Sequence, residues 1–203
     1  MPTSRIAIYA GSFDPITRGH EDLIHRSLEF VDTLIVAVAV NSTKAPLFTI
    51  EERVALIRAS VGDTEHIQVR SFGGLLVDFA RDVGASLLIR GLRAVSDFEY
   101  EYQMALMNRH LSPRLETVFM VPSLDTTYIS ASLVREVARF GGDVDDLVHP
   151  TVATALHAKT AQTRAFSARC MSVPPGSRAG FSFQRPVTRA RARRCERSRH
   201  AAW

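Results

Sequence analysis

The stretch Arg5 to Ile24, RIAIYAGSFDPITRGHEDLI, decides the fold. Its first six residues are a short apolar run, long enough for a buried strand and too short for much else. GSFDP then breaks the run with glycine, hydroxyl, carboxylate and proline, and an amphipathic pattern begins near Gly19 and His20. A strand leads through a polar loop into a helix. Within that loop Gly11 permits a sharp turn and close approach of a ligand, Ser12 offers a hydroxyl and Pro15 stiffens the chain. Gly19 lets the backbone come close. His20 stands in the first helical turn, where a hydrogen bond to a phosphate oxygen is within reach.

Outward from this unit the alternation repeats. A helix is expected from Gly19 to Phe30, with Leu23, Ile24, Leu28 and Phe30 facing inward. TLIVAVAV is the second strand, and TIEERVALIRAS a helix whose start is a capping box of Thr49 and Glu52. HIQVRS is the third strand, GLLVDFARDVG a helix closed by Gly84, and SLLIR the fourth strand. SDFEYEYQMALMNRHL is a long helix, with Ser96 and Glu99 as a second capping box. ETVFMV is the fifth strand, SASLVREVARFGG a helix, and TVATALHAKTA a last short one. Strands separated by helices imply right-handed crossovers between parallel strands, and near-continuous apolar strands imply cover on both faces. The expected fold is α/β: a doubly wound, Rossmann-like, five-stranded parallel sheet with helices on both faces.

After Lys159 the periodicity stops. Residues 1–159 are read as one domain and 160–203 as a basic extension, expected to be disordered. The extension holds ten arginines, no lysine and one acid, so the net charge of +4 conceals a mildly acidic body. Its arginines could bind nucleic acid or acidic lipid, but a solvated tail, or an out-of-frame GC-rich end, accounts for the same composition. Both cysteines, Cys170 and Cys195, lie there, which leaves the body without a thiolate nucleophile and suits a cytoplasmic enzyme. No metal-ligating residues stand out, no apolar run is long enough to span a bilayer, and Arg5 leads straight into the first strand without a secretion leader.

Ligands of open α/β sheets bind beyond the carboxyl ends of the strands. The exits here are GSFDP, NSTKAP with Lys44, SFGG, RGLRAVSDFEYE with Arg90, Arg93 and Glu101, and PSLDTTYISAS with Ser130 and Ser132. Cations, helix starts and glycines gathered on one sheet edge describe a site for phosphates. Neither G-x-x-x-x-G-K-S/T nor G-x-G-x-x-G is present, so this is not a P-loop or an ordinary dinucleotide fold. Taken singly, each residue has a plainer reading. Arg90 and Arg93 could pair with Asp97 or Glu99 at the surface, Ser130 could be a simple N-cap, and Leu76 could be core.

TRGH after GSFDP resembles the H/T-x-G-H motif of the nucleotidyltransferase superfamily, and ISASLVR resembles its second signature, I-S-x-S-x-x-R/K. YAGSFDPITRGHEDLI, FTIEERV, LIRGLRAVSDFEYEYQMALMNRHL and ISASLVREVA together resemble the phosphopantetheine adenylyltransferase family over about Arg5 to Lys159. The resemblance implies transfer of AMP from ATP to 4′-phosphopantetheine, with Mg²⁺, a homohexamer and feedback inhibition by coenzyme A. It implies that Ser12 touches both substrates, and that Lys44, Leu76 and Arg90 hold the pantetheine substrate. It implies that Phe13, Gly91, Leu92, Arg93, Glu101, Thr126, Thr127, Tyr128, Ile129, Ser130, Ala131 and Ser132 hold ATP. His20, which also meets ATP, is implied to stabilise the transition state, with Lys44 and Arg93 completing the catalytic set. Two positions depart from the family pattern: Ser12 stands where threonine is usual, and Thr126 where an aromatic is common. The rivals are a nucleotidyltransferase acting on nicotinate mononucleotide or glycerol phosphate, and a nucleic-acid-binding protein whose body has lost catalysis.

Overall fold

The computed structural model describes residues 5–40, 46–62 and 64–171. Five strands lie among them: β1 (Ile6–Gly11), β2 (Thr33–Ala39), β3 (Ile67–Phe72), β4 (Leu87–Gly91) and β5 (Glu116–Met120). Helices alternate with them: α1 (Arg18–Ser27), α2 (Ile50–Val61), α3 (Leu76–Asp82), α4 (Val95–Leu111), α5 (Ala131–Phe140) and α6 (Pro150–Met171). The sheet order is β3-β2-β1-β4-β5 and every pairing is parallel. This is the doubly wound architecture expected from the sequence.

β1 is the central strand, with Ile8 opposite Ile35 on one side and Leu88 on the other. The chain winds outward from β1 through β2 to β3, then crosses back to β4. The carboxyl ends of β1 and β4 therefore flank the switch point, where the crossovers on either side diverge and leave a crevice. On one sheet face, Ala7, Val36, Val38 and Ile89 pack against Leu23, Ile57, Val134 and Leu156 of α1, α2, α5 and α6. On the other, Ile8, Ala10, Ile35 and Leu88 pack against Val77 and Ala80 of α3. The central strands are buried on both faces, whereas β5, at the edge, alternates exposed and half-buried residues.

Three expectations need correction. Helix α1 begins at Arg18, capped by Thr17, and ends at Ser27, so Phe30 lies in the following turn and is 60% exposed instead of facing inward. Helix α4 begins at Val95 with Ala94 as N-cap, which puts Ser96 inside the first turn and not at the cap. That extra turn forms because the Asp97 amide already donates to the Ala94 carbonyl, and the Asp97 carboxylate pairs with Arg93 at 3.2 Å. Helix α6 runs to Met171, well past Ala161. No proline or glycine interrupts the segment before Pro174, and alanine, glutamine and arginine are strong helix formers. Thr160 is buried, its hydroxyl donating to the Leu156 carbonyl, and the Lys159–Glu52 ion pair (2.8 Å) ties α6 to α2. Residues 172–203, and with them most of the basic extension, lie outside the described residues. Among the described residues no helix is long and apolar enough to cross a membrane.

Candidate active site

The loop between β1 and α1 is clamped from three sides. Arg53, only 2% exposed, donates to the Ser12 carbonyl at 2.8 Å and to that of Thr49 at 3.3 Å. The buried Asp14 carboxylate accepts the backbone amides of Leu47 and Phe48, both at 2.9 Å. Arg135 of α5 donates to the Asp14 carbonyl and lies 3.5 Å from its carboxylate. The loop can therefore hold Phe13 at φ +44°, a conformation that costs a residue with a Cβ of order 1–3 kcal/mol. The Phe13 ring is buried edge-on against Tyr9 and His20, with centroids 5.5 and 5.1 Å away.

His20 is the third residue of α1, and its Nδ1 accepts the Thr17 backbone N–H at 3.0 Å. A backbone N–H can only donate, so Nδ1 is unprotonated; the Thr17 hydroxyl, also 3.0 Å from it, donates as well. The neutral ring consequently carries its proton on Nε2. Burial, and then the Arg93 charge, lower the His20 pKa from 6.5 to about 4. Protonating Nδ1 would also set its new N–H against that of Thr17. His20 is thus a neutral Nε2–H donor at physiological pH, and its side chain lines a cleft of about 420 Å³.

The cleft opens at the switch point. Ser12, Phe13, Gly19 and His20 reach it from the loop and α1; Arg90, Gly91 and Arg93 from β4 and its exit; Glu101 from α4. Thr126, Ile129, Ser130, Ala131 and Ser132 close the far wall. Two helix starts, of α1 and α5, converge here, and Ser130 caps α5 by accepting the Leu133 amide at 3.2 Å. Glycine leaves room twice at this junction. A Cβ on Gly91 would come 2.5 Å from Leu23 Cδ1, and one on Gly19 would come 3.3 Å from the Thr126 carbonyl. The two glycines let α1 seat against β4 and against the β5–α5 loop.

The sequence-predicted residues separate into groups. Twelve of them meet in this one cleft. Arg90 is there, but its guanidinium grips Glu101 twice (2.7 and 2.5 Å) and donates to the Ala10 carbonyl at 2.6 Å. Arg93 pairs with Asp97, the partner that the surface reading gave it, while still lining the cleft. Leu92 continues the β4–β5 pairing through its amide to the Met120 carbonyl, Thr127 donates to the Arg93 carbonyl at 3.4 Å, and Tyr128 is exposed; none of the three lines the cleft. Leu76 lines a second, narrower groove with Tyr100, Met104, Asn108 and Thr117, and Arg90 and Glu101 form the wall shared with the cleft. Lys44 lies outside the described residues. Sequence reasoning missed Tyr9, Thr17, Asp14, Arg53, Arg135 and Asn108. All six stood within the quoted stretches, but what each does there depends on tertiary contacts that no local pattern signals.

No group of three or more His, Cys, Asp or Glu among the described residues can hold a metal ion. Asp14 and Glu101, the carboxylates nearest the cleft chemistry, are engaged by amides and arginines.

A cytidylyltransferase-like family model matches residues 8–137. Together with the sheet order, that match makes the chain a nucleotidyltransferase. The phosphopantetheine adenylyltransferase of Bordetella pertussis is 53% identical over 164 residues, covering 81% of this chain and 97% of that protein. The protein of the same name from Thiobacillus denitrificans is 52% identical over 153 residues, covering 75% and 96%. A solved putative nicotinate-nucleotide adenylyltransferase from Vibrio parahaemolyticus superposes with a TM-score of 0.55 over 76% of this chain and 99% of that one; at 18% identity this is a likeness of fold alone. The chain belongs to the phosphopantetheine adenylyltransferase family.

Proposed function

We propose that this enzyme transfers AMP from ATP to 4′-phosphopantetheine, giving dephospho-coenzyme A and pyrophosphate by in-line displacement. A phosphate oxygen of 4′-phosphopantetheine forms a bond to the α-phosphorus of ATP. The bond from that phosphorus to the bridging β-phosphate oxygen breaks, and pyrophosphate leaves with the electron pair. The nucleophile is already ionised at neutral pH, so alignment and charge neutralisation are what the protein supplies. The observation that carries the reading is His20: with Nδ1 tied to Thr17, its Nε2–H is a fixed donor between two helix starts. There it can hydrogen-bond an α-phosphate oxygen whose charge grows in the transition state. Arg93 and the α5 start hold the leaving phosphates, Ser12 meets both substrates, and Lys44 holds the incoming phosphate together with those N–H groups of Arg90 that Glu101 and the Ala10 carbonyl leave open.

The narrower groove suits the pantetheine arm, a thin chain with two amides. It is walled by Leu76 and Met104, and it presents the Asn108 amide and a Thr117 hydroxyl that has no partner among the described residues. Asp14 and Glu101 are already engaged, so a divalent ion would be held by the phosphates of ATP and not by these carboxylates, and would supply neutralisation of their charge. Coenzyme A, which shares the pantetheine and adenosine parts, is proposed to occupy the same two cavities and should compete with substrate. The proposed assembly is a hexamer working in the cytoplasm. Its support is α4, which exposes Phe98, Tyr102, Leu106, Met107 and Leu111 to solvent in a single chain. Apolar residues around most of a helix mark one that is covered in its working state.

The test is pyrophosphate release from purified protein with ATP, Mg²⁺ and 4′-phosphopantetheine, beside a control with nicotinate mononucleotide. Release is expected with the first acceptor only. Release with nicotinate mononucleotide instead, or with neither acceptor, rejects the proposal.

A further inference from the structure

Tyr9 lies on β1 and is 6% exposed, yet it lines the cleft. Its ring packs edge-on against Phe13, and its hydroxyl oxygen sits 3.8 Å from where a Cβ on Gly91 would be, at the floor of the crevice between β1 and β4. Among the described residues the hydroxyl has no hydrogen-bond partner. The ring is buried, but the hydroxyl is not one of the sealed unpartnered polar atoms: it opens on the cleft, where a ligand can reach it and where a phenylalanine would offer no donor. Arg90 and Arg93 act on it electrostatically, opposed by Glu101 and Asp22, and the cleft it faces is lined by both arginines and by the start of α5. Burial pushes its pKa up, so it remains an O–H donor throughout the working pH range.

We propose that the Tyr9 hydroxyl donates a hydrogen bond to an oxygen of the bound nucleotide, making Tyr9 a further substrate-binding residue. The inference rests on the adenylyl-transfer reading above. The nucleotide is favoured over the pantetheine arm because Tyr9 lines the cleft that holds His20, Arg93 and the α5 start, to which the ATP phosphates are assigned above, and does not line the Leu76–Asn108 groove.

The test compares the wild-type protein with Tyr9→Phe, using calorimetric titration with MgATP alone, titration with 4′-phosphopantetheine alone, and the ligand-free Tm. Tyr9→Phe is expected to bind ATP about tenfold more weakly or worse, the scale of a hydrogen bond to a charged acceptor. Affinity for 4′-phosphopantetheine should be unchanged, and the ligand-free Tm unchanged or raised. ATP affinity within twofold of wild type overturns the inference, as does a loss confined to 4′-phosphopantetheine. A lowered ligand-free Tm also overturns it, because the hydroxyl would then serve the fold. The two readings fail separately. Wild-type protein that binds ATP but releases no pyrophosphate rejects the acceptor, while Tyr9 is still judged by the two ATP affinities. Wild-type protein that binds no ATP overturns both.

Discussion

At the scale of single residues, the chemistry depends on which groups are already committed. The Nδ1 of His20 is taken by Thr17, which fixes the tautomer and leaves Nε2–H as the ring's one remaining donor. Replacing His20 with alanine should lower kcat by about 10²–10³-fold with little change in KM, as steady-state kinetics would show. A large rise in KM at constant kcat would contradict that role. The pH dependence follows from the same geometry. The unfolded chain binds the His20 proton with a pKa of 6.5, the folded protein only near 4, so between these values the unfolded state holds more protons. The contribution of His20 to stability is therefore complete above 6.5 and is lost as pH falls to about 4. Melting curves across that window should show wild type losing Tm faster than His20→Gln, and kcat should show no ionisation of His20 between pH 6.5 and 8. Much of this chemistry was legible as residue types at strand exits: the cations, the hydroxyls and His20 itself. The commitments were not. Arg90 reads in sequence as a cation for substrate, yet its partners are Glu101 and the Ala10 carbonyl, 11 and 80 residues away.

At the scale of elements, capping shows both the reach and the limit of local pattern. Thr49-x-x-Glu52 is a capping box in sequence and in structure, with both reciprocal bonds formed at 2.9 and 3.2 Å. Thr49→Ala should cost about 1 kcal/mol in urea unfolding and leave kcat intact in the folded enzyme. Thr17-x-x-His20 has the same reciprocal geometry at the start of α1, but histidine takes the place of the usual Glu or Gln, so the pattern went unread. The start of α4 was missed because an alanine N-cap carries no side-chain signal, and the length of α6 because propensity persisted after amphipathic periodicity had ended. The tight seat of α1 on β4 predicts that Gly91→Ala displaces Leu23 and destabilises the fold by roughly 1–3 kcal/mol. The same urea experiment reads it, and a second-site Leu23→Ala should relieve the clash while leaving a cavity elsewhere.

At the scale of the molecule, sheet class and the edge that carries the site followed from alternation alone, because parallel crossovers leave few topologies. The sheet order, with β1 at its centre, became visible only when the strands were paired. The exposed apolar face of α4 predicts an assembled mass well above the 22.5 kDa chain in sedimentation, and Leu106→Glu with Met107→Glu should shift it toward the monomer. Since Thr160 is packed into the body, a truncation placed there should lose stability, whereas one placed after Met171 should keep full turnover. Comparing Tm and pyrophosphate release for the two truncations checks both statements.

The wiring of the loop around Asp14 also has a consequence for how the protein is made. During synthesis from the N-terminus, β1 and its loop emerge first, but the arginine that clamps Asp14 from α5 follows 121 residues later. Until β4 is translated, β1 has a partner on one side only, and an edge of unpaired N–H and C=O groups flanked by apolar side chains, intended for the middle of the sheet, stands open. Nascent chains stalled before Leu87 should consequently self-associate or recruit chaperones, and release from that state should coincide with the translation of β4. The loop after β1 is built ahead of the other four strands and is among the last parts of the sheet edge to be finished.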